Sequence, residues 1–242
     1  MKKHLALLLA VLGIGFVPTL LGAQQPPPRV SALARAESIQ NIAVPDVARL
    51  KTQIKQYHDC TVKSVCYASD LDRQADRAIA FLRARAAHRR PQENLALVLD
   101  IDETTLSNYE QEAKMDFGFD EKSFNDWIEL GQAPAIPGTL RLFKEALRLS
   151  VNVIFITGRQ DAQRAVTEKN LHAQGFAGWQ ELIMKKPEQK KLTALEYKSA
   201  ARGIIAQKYK IVLNVGDQWS DLGGEPEAEL SVKYPDPFYF LP

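Results

Sequence analysis

Apolar and polar positions along the chain follow two rhythms. Leu95-Ala-Leu-Val-Leu99, Val151-Asn-Val-Ile-Phe-Ile156, Trp179 to Met184 and Lys210-Ile-Val-Leu-Asn-Val215 are short, nearly continuous apolar runs. Such runs are the pattern of strands buried on both faces of a parallel sheet. Elsewhere apolar residues recur every three or four positions, as in helices with one buried side. That spacing predicts a helix over Val47–Tyr57, opened by Pro45-Asp46, with Val47, Leu50 and Ile54 on one face. It predicts a second from an Asp70 cap through Ala86, burying Ala75, Ala78, Ile79 and Leu82. Further helices are expected over Pro137–Arg148, Ala162–Gln174 and Thr193–Gln207. Strands and helices in alternation imply an α/β fold with a central parallel sheet between helical layers. Residues 45–90 would brace that sheet. Residues 109–136, polar but carrying Phe117, Phe119, Phe124 and Trp127, would form a small flap over the strand ends.

The N-terminal stretch stands outside this pattern. Lys2 and Lys3 precede an apolar run from Leu5 to Leu21, and Leu21-Gly22-Ala23 offers a cleavage site. Residues 1–23 read as a secretory signal peptide, the rival being an uncleaved anchor at the lower limit of a membrane span. No Cys follows the run, which argues against a lipid anchor there. Residues 24–44, opening Gln24-Gln25-Pro26-Pro27-Pro28, read as an extended linker. After cleavage the chain would remain in the periplasm or be secreted, with no stable membrane span.

The 242 residues are 45% hydrophobic and 25% charged, suited to a domain of about 200 residues with a sizeable core. Removing residues 1–23 takes two lysines and no acid, which leaves a formal net charge of zero. A neutral chain lacks the electrostatic footprint of a nucleic-acid binder. Cys60 and Cys66 are the only cysteines. In an exported chain they predict a local disulfide contributing about 2–3 kcal/mol, with two buried thiols as the alternative. No second cysteine pair or spaced histidine set accompanies them, so zinc is not indicated.

The chemistry concentrates where strands should end. Asp100-Ile101-Asp102 follows the first run directly, and alternate residues of an extended segment point the same way. Two neighbouring carboxylates repel unless a cation or a shared proton intervenes. Asp-x-Asp also opens calcium loops, but those need a glycine where this chain has Thr105. After the second run come Thr157-Gly158-Arg159, where a hydroxyl and backbone amides beside a glycine suit phosphate. The fourth run ends in Gly216-Asp217-Gln218-Trp219-Ser220-Asp221, a second pair of carboxylates. A lysine aimed at this rim would neutralise phosphate and acids alike, and Lys185, Lys186 and Lys198 all compete for the place. Tyr109, at the start of the flap, is a candidate contact for a substrate's leaving group.

Taken in order, Asp100-x-Asp102-x-Thr104, Thr157, Lys198 and Gly216-Asp217-x-x-x-Asp221 resemble the four motifs of the haloacid dehalogenase (HAD) superfamily. Val166-Thr-Glu-Lys-Asn-Leu171, Tyr197-Lys-Ser199 and the closing Pro235-Asp-Pro-Phe-Tyr239 resemble its subfamily IIIB acid phosphatases, the plant branch in particular. The resemblance implies a Rossmannoid three-layer α/β sandwich with a small flap in place of a full cap domain. It implies a Mg²⁺-dependent phosphomonoesterase acting on small phosphomonoesters, with nucleoside monophosphates as candidates. Asp100 would be the nucleophile. Asp102 would be the acid and base, which calls for a raised pKa. Asp100, the Asp102 carbonyl and Asp217 would hold the metal. Thr157, Gly158 and Lys198 would bind phosphate, the match favouring Lys198 over Lys185, and Asp221 would hold Lys198 or a metal-bound water. Two alternatives stand beside this: phosphotransfer within the same superfamily, and a non-catalytic storage or binding protein, since plant relatives include forms that have lost the nucleophile.

Overall fold

The computed structural model describes residues 46–62 and 65–241. The expected leader and linker lie outside the described residues. Five strands form one sheet: β1 (Leu95–Leu99), β2 (Asn152–Gln160), β3 (Glu181–Lys185), β4 (Lys210–Gly216) and β5 (Leu230–Lys233). Their order is β3-β2-β1-β4-β5, and every pairing is parallel. β5 was not expected: it is a four-residue edge strand, only Val232 of which is fully buried, so it carries no apolar run.

β1 is central and buried at every position. Its pleat divides the core. Leu95, Leu97 and Leu99 share a core with Leu71, Ala78 and Leu82 of α2 (Tyr67–Ala87) and with Leu142, Phe143 and Ala146, and Ile54 and Tyr57 of α1 (Val47–His58) pack against it; Ala96 and Val98 meet Tyr197, Ala201 and Ile205 of the opposite layer. Full burial of each such leucine or valine stabilises the fold by roughly 1.5–3 kcal/mol. The segment after β1 carries α3 (Tyr109–Lys114) and α4 (Glu121–Leu130) as a flap. Its neck is closed where Ser107 N donates to Pro134 O and Ile136 N to Thr105 O. α5 (Pro137–Arg148) follows, opened by proline at its first position. α6 (Arg164–Ala173), α7 (Ala194–Ile205) and the single turn α8 (Trp219–Leu222) complete the helices. Among the described residues no helix is long and apolar enough to cross a membrane.

Two boundaries differ from expectation by more than two residues. α2 starts at Tyr67 with Cys66 as its cap, because the Tyr67 ring is buried against His58 and Phe238 and draws the first turn upstream. Asp70 therefore lies within that turn, where it accepts the Tyr57 hydroxyl of α1 at 2.6 Å. Cys60 and Cys66 form a disulfide that joins the end of α1 to the start of α2. β2 runs on through Gln160 because its register with β3 shifts between Thr157 and Gln160, a bulge that keeps Gln160 opposite Lys185.

The helical layer is also tied by charge. Glu145 of α5 accepts Arg148 Nη2 and Arg83 Nε, both at 2.6 Å, and these bonds hold its carboxyl down at about 2. Glu145→Gln is expected to lower Tm at pH 6 by about 2 °C, the scale of a pair open to solvent screening. A depressed folded pKa contributes stability above the ordinary glutamate value and loses it as pH falls through about 2. Melting curves of the two proteins should therefore converge at the acid end of that window.

Candidate active site

The carboxyl ends of β1 and β4 meet. Asp100 N donates to Val215 O at 3.1 Å, and Thr105 Oγ1 caps the Asp100 carbonyl at 2.6 Å. The turn after Asp100 is tight: the amides of Thr105 and Leu106 both donate to Ile101 O at 2.8 Å, and Glu103 takes a left-handed φ of 53°. At the end of β4, a Cβ on Gly216 would lie 2.3 Å from the Asp221 Cβ. Only glycine lets α8 fold back so that Asp221 reaches the strand end. Lys198 projects from α7 between the two acids, its Nζ donating to Asp100 Oδ1 and Asp221 Oδ1, each at 2.5 Å. Of the three competing lysines it alone is at the rim: Lys185 Nζ donates to Leu192 O, and Lys186 is exposed.

Asp100, Asp217 and Asp221 each place a carboxylate oxygen within 4.8 Å of the others, and all three are buried. Burial opposes the Lys198 charge, but Asp100 and Asp221 more than offset it and hold the ammonium protonated. One cation does not balance three acids. Burial, then Asp221 and Asp236, push Asp217 up to about 8, and burial with the neighbouring acids also pushes Asp100 well up against the pull of Lys198. Surplus negative charge on hard oxygen donors is the donor set that Mg²⁺ and similar divalent ions take, so these residues fit such an ion. Asp217 is already aimed: its Oδ1 accepts Thr104 Oγ1 at 2.9 Å, and its Oδ2 accepts Gln218 Nε2 at 2.8 Å and the Tyr239 hydroxyl at 3.2 Å.

Asp102 departs from expectation. Arg159, in the bulge of β2, grips it through Nη2 to Oδ1 at 2.8 Å and Nε to both oxygens at 3.1 and 3.3 Å. Asn108 Nδ2 adds a fourth donation to Oδ1 at 2.9 Å. Burial alone would raise this carboxyl. The charge and hydrogen bonds of Arg159, with Asn108, outweigh it and hold Asp102 below the usual aspartate value, not above it as expected. Thr157 is buried beside it, its hydroxyl accepting Arg159 N at 3.1 Å and lying 3.5 Å from Asp102 Oδ2. Gly158 is exposed, and a Cβ there would meet nothing within 4 Å. Tyr109 sits in an aromatic cluster. His58 stacks on it with ring centroids 3.2 Å apart, Phe238 lies at 5.2 Å, and its hydroxyl reaches Asp59.

Sequence reasoning gave no role to Arg159, Asn108, Gln218, Tyr239 or Arg202, although three of them stand in the motifs that it singled out. Arg202 is fully buried and donates to the carbonyls of Asp221, Gly223, Gly224 and Pro226, clamping the loop that carries Asp221. The available signal was an arginine directly after a buried strand or inside an apolar helix face, where a charge needs partners. Two surface clefts of about 600 and 360 Å³ share Gln74, Trp219 and Lys233, and neither is lined by the acids.

The solved structure of the class C acid phosphatase from Bacillus anthracis superposes with a TM-score of 0.65 over 80% of this chain and 85% of that one, at 20% identity. That likeness shows a shared fold. Among curated proteins, the stem 31 kDa glycoprotein of Glycine max is 39% identical over 161 residues, which is 64% of this chain and 63% of that protein. The alignment thus spans just under two thirds of that relative's length. Acid phosphatase 1 of Solanum lycopersicum is 36% identical over 179 residues, 72% of this chain and 69% of its own. Vegetative storage protein 1 of Arabidopsis thaliana is 37% identical over 150 residues, 60% of this chain and 55% of its own. The family model described as HAD superfamily, subfamily IIIB (acid phosphatase) matches residues 26–242, and the chain belongs to that family.

Proposed function

We propose that the chain is an exported acid phosphatase that hydrolyses small phosphomonoesters through a phosphorylated Asp100. The observation that carries this reading is Lys198 held between Asp100 and Asp221 at the carboxyl rim of the sheet, with Asp217 close by. Lys198 neutralises the approach of an anion to a carboxylate, which otherwise repels it. Asp100 Oδ1 is held by that ammonium, while nothing among the described residues hydrogen-bonds its other oxygen, which is free to attack phosphorus in line. Thr157 and the amides beside Gly158 receive the equatorial oxygens. Asp102 gives a proton to the leaving oxygen and takes one from water in the second step. The donors around Asp102 favour its ionised form, so proton donation is favourable once it is loaded, and loading needs an acid medium. Asp100, Asp217 and the Asp102 carbonyl, with Asp221 behind them, would hold Mg²⁺, which when bound supplies the charge neutralisation that one lysine cannot.

Nucleoside monophosphates are candidate substrates beside the exposed Gly158, and an extracellular or periplasmic site of action accords with relatives named as stem glycoproteins and storage proteins. Those names also support a second reading, a storage protein without turnover. Hydrolysis of p-nitrophenyl phosphate at acid pH separates the two. Activity should fall at least about 100-fold with a chelator and return with Mg²⁺. Turnover that ignores the chelator would remove the metal from the proposal, and none under any condition would favour storage.

A further inference from the structure

Asp102 is held from two sides that belong to different parts of the chain. On one side stands Arg159 of β2. On the other, a chain of hydrogen bonds leads out to the flap. Trp127, on α4, donates its indole Nε1–H to Asn108 Oδ1 at 2.9 Å. Asn108, fully buried, donates Nδ2–H to Asp102 Oδ1 at 2.9 Å and to Glu103 Oε2 at 2.8 Å. Its backbone N–H donates to Glu103 Oε1 at 2.5 Å, which pins the residue at the neck of the flap.

We propose that Trp127 and Asn108 are positioning residues that aim the Asp102 carboxylate at the leaving-group oxygen, so that the flap orients the acid as well as covering the site. The argument starts from donor inventory. An indole N–H can only donate, so it selects the oxygen end of the Asn108 amide, and this turns the NH₂ end toward Asp102, whose carboxylate can only accept when ionised. Each bond therefore fixes the sense of the next. Without the indole N–H, Asn108 Oδ1 is left buried and unpaired, and the amide gains a reason to rotate off Asp102 in search of a partner. The carboxylate then keeps Arg159 as its main anchor and swings toward β2. Trp127 also fills core, being 7% exposed, so bulk and N–H must be separated. Trp127→Phe retains most of the ring and removes the donor.

This inference rests on Asp102 acting as the general acid, and the test distinguishes the two. We would measure kcat/KM for glycerol 2-phosphate, whose alkoxide needs a proton to leave, and for 2,4-dinitrophenyl phosphate, whose phenolate does not. Because kcat/KM reports events up to leaving-group departure, the later attack of water does not mask the contrast. Trp127→Phe should lower the alkyl value about ten-fold and leave the aryl value within about two-fold. Asn108→Leu, which removes both arms of the relay, should give the same selective pattern if Trp127→Phe folds poorly. Asp102→Asn should show it more strongly. Selectivity in Asp102→Asn but equal losses on both esters in the Trp127 and Asn108 variants would overturn the relay and make Trp127 a packing residue. No selectivity in Asp102→Asn would remove the acid assignment itself, and the relay with it.

Discussion

Asp100→Asn should lower kcat/KM for p-nitrophenyl phosphate by about 10⁴-fold or more, because an amide cannot attack phosphorus and no other carboxylate stands in its place. The substitution hardly changes volume in a position that is 5% exposed, so packing around β1 is retained. It removes one of three acids that share a single lysine, and Lys198 keeps Asp221. The metal-free variant should consequently melt no lower than wild type. Activity and stability then move independently, which separates a lost nucleophile from a lost fold. Wild type quenched during turnover should yield a phosphorylated peptide spanning Asp100 by mass spectrometry, and the variant should yield none. A phosphorylated residue elsewhere, or turnover surviving in the variant, would reassign the nucleophile.

The parts of the fold that were legible in advance share one property: their burial is decided locally. β1 is five apolar residues between polar ones, and α5 carries an apolar stripe behind a starting proline, so both were found at their observed limits. β5 has neither signal and is defined by pairing with β4. The rim was legible for the same reason as β1, since acids directly after a buried strand have only one place to go. Which groups then hold those acids was not. Arg159 lies 57 positions from Asp102, Tyr239 lies 22 from Asp217 and Trp127 lies 19 from Asn108. Such pairs are set by how loops meet after the sheet has formed. The misjudged direction at Asp102 has this origin. Burial and neighbouring acids argue for a raised value, and the guanidinium that reverses the sign follows a buried strand, which says that it needs a partner but not that the partner is Asp102.

Lys198→Met carries the largest expected effect on the protein itself: it should lower metal-free stability and turnover and raise the affinity for metal. Methionine matches the length of the aliphatic stem and removes the charge. Asp100, Asp217 and Asp221 are then buried together with no cation among them. Removing one partner of a buried charge network costs about 3–5 kcal/mol, which for a domain of this size is a fall in Tm of roughly 6–20 °C in metal-free buffer. Phosphate ester turnover should fall about 10³-fold, since the ammonium no longer balances the charge of the entering phosphoryl group. Divalent metal should nevertheless bind the variant more tightly, because it becomes the only neutralising charge available to three acids. The increase in Tm on adding Mg²⁺ should thus be larger for the variant than for wild type, and calorimetric titration should give a lower Kd. Lys198 and the metal would then be established as partial substitutes in stability and non-substitutable in turnover. An unchanged or weaker response to Mg²⁺ would mean that the ion does not draw on these three carboxylates, and the metal site would have to be sought elsewhere on the rim.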